Sequence, residues 1–190
     1  MKLRLPFLNI AVAAVLALSV CDVAAQSVPA ENAARLDSLF AELQSADAQG
    51  AARAEREIWR LWSQSGSAAM DLLLERGRKA MEQGDIETAI QHFSALIDHA
   101  PEFPEGWNAR ATAYFHAGRF GQSVADIQHV LALNPRHFGA MAGFGAILEQ
   151  LDRKPQALEV YRAVLAIHPQ MQSVRDAVTR LDSELAGQEL

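Results

Sequence analysis

Apolar residues recur at helical spacing through the middle of the chain, in pairs of segments joined by short turns. In the clearest segment, Trp107, Ala111 and Tyr114 stand at steps of four and three, which places them on one face of a helix. Gly118 follows, and glycine closes a helix well because it readily adopts the left-handed conformation. A second helix is predicted from about 121 to 133, so the whole segment predicts a helical hairpin.

The same pattern returns at a constant interval, the one that separates Pro101 from Pro135 and Pro135 from Pro169. Besides these prolines, equivalent columns hold turn formers (Gly84, Gly118, Asp152), small residues (Gly77, Ala111, Gly145) and large apolar residues (Phe93, Ile127, Tyr161). The spacing predicts three hairpin units, at 70–103, 104–137 and 138–171. One such hairpin cannot bury its apolar face alone, so the three are expected to stack on one another.

The segments on either side of the three units predict further helices. Counting back by the same interval, Leu39, Trp59 and Trp62 match later apolar positions, but larger residues occupy the places of small ones. We therefore interpret 26–69 as a linker and a degenerate N-terminal hairpin with a wider helix separation. Residues 172–190 predict a capping helix and tail, because a narrow apolar stripe runs along an otherwise polar helix. The stripe consists of Met171, Val174, Val178, Leu181 and Leu185.

These columns resemble the tetratricopeptide repeat (TPR), whose signature is Trp, Leu, Gly, Tyr, Ala, Phe, Ala and Pro at fixed places. In the second unit those places hold Trp107, Arg110, Ala111, Tyr114, Ser123, Ile127, Val130 and Pro135. The resemblance implies an all-α fold, an α-solenoid of three TPR units between the N-terminal hairpin and the capping helix. Arg76 and Arg110 stand where the family usually has Leu, and we expect their aliphatic stems on the packing surface with the charge outside.

Residues 1–25 have the features of a secretory signal peptide. Basic residues precede a short apolar stretch, and small residues precede a predicted cleavage after Ala25. The stretch is shorter than the roughly 20 residues that span a bilayer. We therefore expect an exported, periplasmic protein. The alternative is a membrane-anchored lipoprotein through Cys21, although Val20 stands where a lipobox has a small residue.

Charge and residue types argue against nucleic-acid binding and against catalysis. The 23 Asp and Glu residues outnumber the 17 Lys and Arg residues, and the net charge of −6 disfavours a phosphate backbone. The six histidines fall in different columns of the repeat, and no pair has the spacing of four that suits two metal ligands on one helix face. We expect these histidines to be solvated or locally hydrogen-bonded. No enzyme, cofactor, metal site or small-molecule substrate is expected.

The concave surface is the remaining candidate site. The first helix of each unit lines this surface in a solenoid, and the stripe beside its core-facing residues is the predicted binding face. That stripe contains Leu74, Arg78 and Met81 in the first unit, Asn108, Thr112, Phe115 and His116 in the second, and Ala142 and Ala146 in the third. Glu105 and Gly139 are expected on the same face. The resemblance implies that a peptide or helix of a partner protein binds there.

Some members of the family clamp a C-terminal carboxylate with Lys, Asn and Arg. Only Arg78 could do so here, so binding of chaperone tails is not expected. Two alternatives to a groove-binding scaffold stay open. The first is a structural subunit, packed permanently into a larger envelope complex through an exposed flank that contains Trp59 and Trp62. The second is an enzyme accessory protein that uses Arg78, Glu82 and His116.

Overall fold

The computed structural model describes residues 30–188, and the predicted signal peptide and Cys21 lie outside the described residues. The described chain consists of helices joined by short turns, without strands. The helices are α1 (Ala30–Ser45), α2 (Ala48–Trp62), α3 (Ala68–Glu82), α4 (Ile86–His99), α5 (Pro104–His116), α6 (Phe120–Leu133), α7 (Phe138–Gln150), α8 (Lys154–Ile167) and α9 (Gln172–Gln188). The predicted all-α fold of stacked hairpins is therefore confirmed. From α1 to α9, none of these helices is both long and apolar enough to cross a membrane.

The turn inside each unit has the same geometry three times. Gly84, Gly118 and Asp152 all adopt positive φ angles, of 75°, 69° and 56°. In the second unit the Arg119 amide then donates to the Tyr114 carbonyl at 2.8 Å, which satisfies a carbonyl at the end of α5. The column of turn formers therefore reflects a backbone conformation that favours glycine.

The small and large columns meet inside each unit. The pairs are Gly77 with Phe93, Ala111 with Ile127, and Gly145 with Tyr161. A Cβ atom added at Gly77 would lie 2.2 Å from the Phe93 ring, and one at Gly145 would lie 2.4 Å from the Tyr161 ring. Each glycine thus makes room for a ring from the second helix of its unit. The middle unit combines alanine with the smaller isoleucine.

The charge of Arg110 lies in the packing surface, and the expectation that it lies outside is wrong. Its guanidinium binds both carboxylate oxygens of Asp126 on α6, at 2.8 and 2.9 Å. It also lies over the rings of Trp107 and Tyr114, 5.1 and 5.6 Å from their centroids. Asp126 is buried and raises the pKa of Arg110 through this hydrogen-bonded pair. A buried carboxylate, which the repeat pattern does not predict, therefore holds the arginine. Arg76 is exposed.

The N-terminal hairpin α1–α2 packs against the third unit, at the far end of the sequence. One apolar core joins Leu43 and Ile58 of the hairpin with Phe138 of α7, Tyr161 of α8 and Val174 of α9. The connection from α2 to α3 is the short segment 63–67. Stacking in chain order would have placed the hairpin beside α3, whereas the structure folds it back onto α7 and α8.

Candidate protein-interaction groove

A shallow cleft of about 90 Å³ lies between α5 and α7, the first helices of the second and third units. Asn108, Thr112 and Phe115 line it from α5, and Gly143 and Ala146 line it from α7. These side chains lie on the same face of the first helices of two neighbouring units, so the cleft lies on the surface that the sequence predicts as concave.

The absence of a side chain at Gly143 opens this cleft. A Cβ atom added there would meet only the Cδ1 atom of Ile127, at 4.0 Å. On the floor, the Ser123 hydroxyl donates to the Ala111 carbonyl at 2.7 Å, so this buried oxygen is already satisfied. The lining is mostly apolar, with the polar side chain of Thr112 exposed beside it. This chemistry suits an apolar side chain that enters between two helices, with polar groups near the rim.

The structure brings together four of the nine residues predicted to bind a partner: Asn108, Thr112, Phe115 and Ala146. His116 is exposed and contacts the edge of Phe115, with 5.8 Å between the ring centroids. Met81 is partly buried against the core formed by α3, α4 and α5. Whether these residues bind a partner stays a prediction.

Two predicted contact residues are committed to internal packing. Leu74 is 2% exposed and belongs to the core of the first unit, although it also lines the cavity beside α3, so its contact with a partner stays a prediction. It stands on the predicted stripe, but α4 and α5 approach closely enough to cover it. Ala142 packs against the core that contains α1 and α2, so it also contacts this chain's own residues.

Glu105, expected in the groove, is instead the centre of a buried polar network. It is 3% exposed, and its carboxylate binds Arg78 at 2.6 Å, Asn108 at 3.1 Å and His137 at 3.3 Å. The Nδ1 atom of His137 accepts from the Ala140 amide, so its Nε2 carries the proton that faces Glu105. The network ties together the first helices of all three units. Arg78 and His137 lie 27 and 32 residues from Glu105, so neither contact follows the constant period that identified the repeat.

A second cavity, of about 350 Å³, lies beside α3. Arg78 and Glu82 line it, but Arg78 is already bound to Glu105 and to the Ser63 hydroxyl, at 2.6 and 3.0 Å. His116 lines neither cavity, so the three residues considered for an accessory catalytic role do not share a site. Across residues 30–188, the structure has no cluster of three or more His, Cys, Asp or Glu side chains that could hold a metal ion.

The two tryptophans of α2 face into the molecule. The ring of Trp59 covers Gly139, where an added Cβ atom would lie only 2.5 Å away. Trp62 stacks on the buried ring of His137, with 4.2 Å between centroids and an interplanar angle of 15°. Trp59 and Trp62 are therefore partly buried against this chain's own core, and the expectation that they form an exposed flank is wrong. Gly139 lines the cleft between α5 and α7 as expected, while the Trp59 ring fills the position that its side chain would take. Of the histidines expected to be solvated or locally hydrogen-bonded, His137 is buried and locally hydrogen-bonded to the Ala140 amide, whereas His168 is buried without a hydrogen bond to the described residues.

Comparison with known proteins relates this arrangement to a family. The model of the tetratricopeptide repeat matches residues 74–128 and 109–171. A TPR repeat-containing protein of Rhizobium etli is 36% identical over 154 residues, which cover 80% of this chain and 76% of the relative. RNA polymerase II-associated protein 3 of Homo sapiens is 28% identical over 118 residues, which cover 62% of this chain but only 18% of that protein.

Solved structures agree with the sequence relatives. The first TPR of the protein Spaghetti, bound to an HSP90 peptide, superposes with a TM-score of 0.59 at 27% identity, over 62% of this chain and 95% of that one. The crystal structure of MamA superposes with a TM-score of 0.58 over 74% of this chain and 80% of that one, and at 18% identity it shows the fold alone. Since the repeat model covers more than half of the chain and the Rhizobium etli relative aligns over most of it, the chain belongs to the tetratricopeptide repeat family.

Proposed function

We propose that this protein is a non-enzymatic adaptor that binds a peptide or helix of a partner protein in the cleft between α5 and α7. The observation that carries the proposal is the space beside Gly143, where the backbone of α7 is open to a ligand opposite Phe115. Glycine lowers helix stability by about 1 kcal/mol relative to alanine. No internal side chain of the described chain fills this space, which supports a role for it in binding.

The cleft selects for an apolar side chain with an adjacent backbone amide. Phe115 and Ala146 supply apolar walls. The amide nitrogen of Asn108 donates to Glu105, which leaves its side-chain oxygen to accept a hydrogen bond from the ligand's backbone. Such a site fits a short extended or helical peptide with one apolar anchor residue.

The HSP90 peptide of the Spaghetti complex is a poor guide to the ligand of this chain. A C-terminal carboxylate needs a cluster of donors, and of the places that would supply them only Arg78 carries a cation. That cation is neutralised by the buried carboxylate of Glu105. The net charge of −6 also disfavours an acidic tail.

We further propose that the protein acts in the bacterial envelope, most simply in the periplasm. The signal-peptide pattern of residues 1–25 supports this location. The mass of the protein purified from its native host tests it, because cleavage after Ala25 and lipidation at Cys21 give different mature N-termini. Recovery of an uncleaved chain from the cytoplasm would contradict the proposal.

The adaptor role is tested by filling the cleft and repeating a crosslinking pull-down from the native envelope. Gly143→Met places a flexible apolar side chain in the cleft, and Gly121→Met is its matched control, since an added Cβ at Gly121 meets nothing within 4 Å. We expect a partner captured by the wild type and by Gly121→Met to be lost from Gly143→Met. Equal capture by all three would place the contact elsewhere and favour the permanently packed structural subunit.

A further inference from the structure

The helix α2 covers the N-terminal part of α7 in the way that a bound ligand would. Trp59 fills the space above Gly139, and Trp62 stacks on His137. Four residues before Trp59, the carboxylate of Glu55 lies 3.3 Å from the Nε2 atom of His168. The third unit therefore offers a surface for two aromatic rings, and a buried imidazole lies close to the carboxylate of the covering helix.

Several of the contacts that hold the hairpin lie at the surface or are imperfect. Asp37 pairs with Arg136 at 2.7 Å, and the Arg136 side chain is 50% exposed while it also covers Phe40. Neither ring nitrogen of His168 has a hydrogen-bond partner among the described residues, because Glu55 approaches outside hydrogen-bond geometry. A buried polar group without a partner lowers the stability of the closed arrangement, and water would satisfy it if the hairpin were displaced.

A single short segment joins the hairpin to α3, and Ser63 and Ser65 within it are hydrogen-bonded to Arg78 and Asp71 of α3. The segment 63–67 between α2 and α3 is short, and Gly66 within it has a positive φ angle of 83°. The hairpin is held mainly by residues of α7, α8 and α9, not by the neighbouring unit in sequence.

We propose that the face of α7 beneath α2 is a second binding surface, which the chain's own hairpin covers and an amphipathic helix of a partner protein occupies when the hairpin is displaced. That partner helix carries a carboxylate, an aliphatic residue and two aromatic residues in the order that α2 shows at Glu55, Ile58, Trp59 and Trp62. The surface dictates this chemistry, because a large ring fits over the bare backbone of Gly139 and the carboxylate of α2 lies beside His168.

Competition with the tethered hairpin sets the affinity for an external helix. A segment on a short linker has an effective concentration in the millimolar range, so it competes strongly with a free ligand. The apparent dissociation constant of the external helix is inversely proportional to the fraction of molecules in which the hairpin is displaced. Weakening the hairpin raises that fraction and so lowers the apparent dissociation constant. This surface meets the cleft at Gly139, which lines both, but the two proposals are tested at different residues, Arg136 and Gly143, so either can fail while the other stands.

The test uses the full chain and a fluorescein-labelled synthetic peptide of residues 48–65 as the probe, with binding measured by anisotropy. Arg136→Ala removes the ion pair with Asp37 and the cover over the outer face of Phe40, while the apolar side chains of the core are kept. Arg162→Ala is the matched control, since its pair with Asp182 spans 2.8 Å against 2.7 Å for Arg136 with Asp37, and the two arginines are similarly exposed. We expect the peptide to bind Arg136→Ala roughly three- to thirtyfold more tightly than the wild type, and Arg162→Ala to match the wild type.

A second set of variants removes the aromatic anchors. Trp59→Ala/Trp62→Ala should also gain at least tenfold in affinity for the peptide, and adding Gly139→Leu should abolish that gain by blocking the surface. Hydrogen exchange should show α1 and α2 losing protection while α3 to α9 retain it. Equal affinity for all chains, or no binding to any of them, overturns the proposal. If α3 to α9 also lose protection in the tryptophan variant, its fold is disturbed, and the comparison of Arg136→Ala with Arg162→Ala decides.

Discussion

Two glycines of α7, separated by one residue, allow the close packing of a TPR unit to be measured. Replacing either with alanine should gain about 1 kcal/mol from helix propensity. At Gly143 the new methyl group meets only Ile127, at 4.0 Å, so we expect Gly143→Ala to stabilise the fold by about 1 kcal/mol. At Gly145 the methyl group would lie 2.4, 2.8 and 2.9 Å from three atoms of the Tyr161 ring.

Tyr161 has little freedom to move away. Its side chain is buried, and its hydroxyl donates to Glu149 at 2.8 Å. Overpacking costs about 1–3 kcal/mol, and a strained hydrogen bond about 1 kcal/mol. Set against the propensity gain, these values predict that Gly145→Ala destabilises the fold by about 2 kcal/mol. The two variants should therefore differ by about 3 kcal/mol.

Urea unfolding followed by far-UV circular dichroism measures both variants against the wild type. A difference of about 3 kcal/mol corresponds to roughly 6–12 °C in melting temperature for a chain of this size. The double variant Gly145→Ala/Tyr161→Phe tests the cause, because loss of the hydroxyl anchor lets the ring shift and should recover part of the lost stability. Equal stability of Gly143→Ala and Gly145→Ala would refute the assignment of the small column to close ring packing.

Three further substitutions test single features of the fold. Asp152→Gly should stabilise the fold by about 0.5 kcal/mol, because relief of the strain of a left-handed, exposed aspartate slightly exceeds the extra entropy that glycine gives the unfolded chain. An unchanged melting temperature would contradict this. Asp126→Ala should destabilise by about 3 kcal/mol in urea, since it leaves the partly buried Arg110 without its carboxylate, whereas Asp126→Leu combined with Arg110→Met should come close to the wild type. Glu105→Gln should lose about 2 kcal/mol through its charged hydrogen bonds, with the exposed Glu102→Gln as control, and equal losses in the two would exclude a stabilising network.

Within each unit, the sequence alone was sufficient to predict the architecture. The turn at Gly118, the pairing of Gly145 with Tyr161 and the helical stripe through Ala111 all follow from residues close together in the chain. Because a helix has a fixed period, the spacing of apolar residues indicates which face of each helix is buried. Because the units repeat at a constant interval, the same spacing indicates which two helices pair in each hairpin. Part of the groove, including Asn108 and Phe115, followed from the same periodicity.

The tertiary structure alone decided the position of α1–α2 and the partners of the buried charges. Asp37 meets Arg136 across 99 residues of chain, and Gln44 meets the Ala166 carbonyl across 122. The apolar face of the hairpin is visible in the sequence, but several exposed faces of the solenoid could have covered it. Phe138 and the bare backbone at Gly139 make the third unit the face that receives the aromatic rings of α2. Periodicity shows that a face must be buried, whereas the choice among possible partners depends on how well whole surfaces fit together.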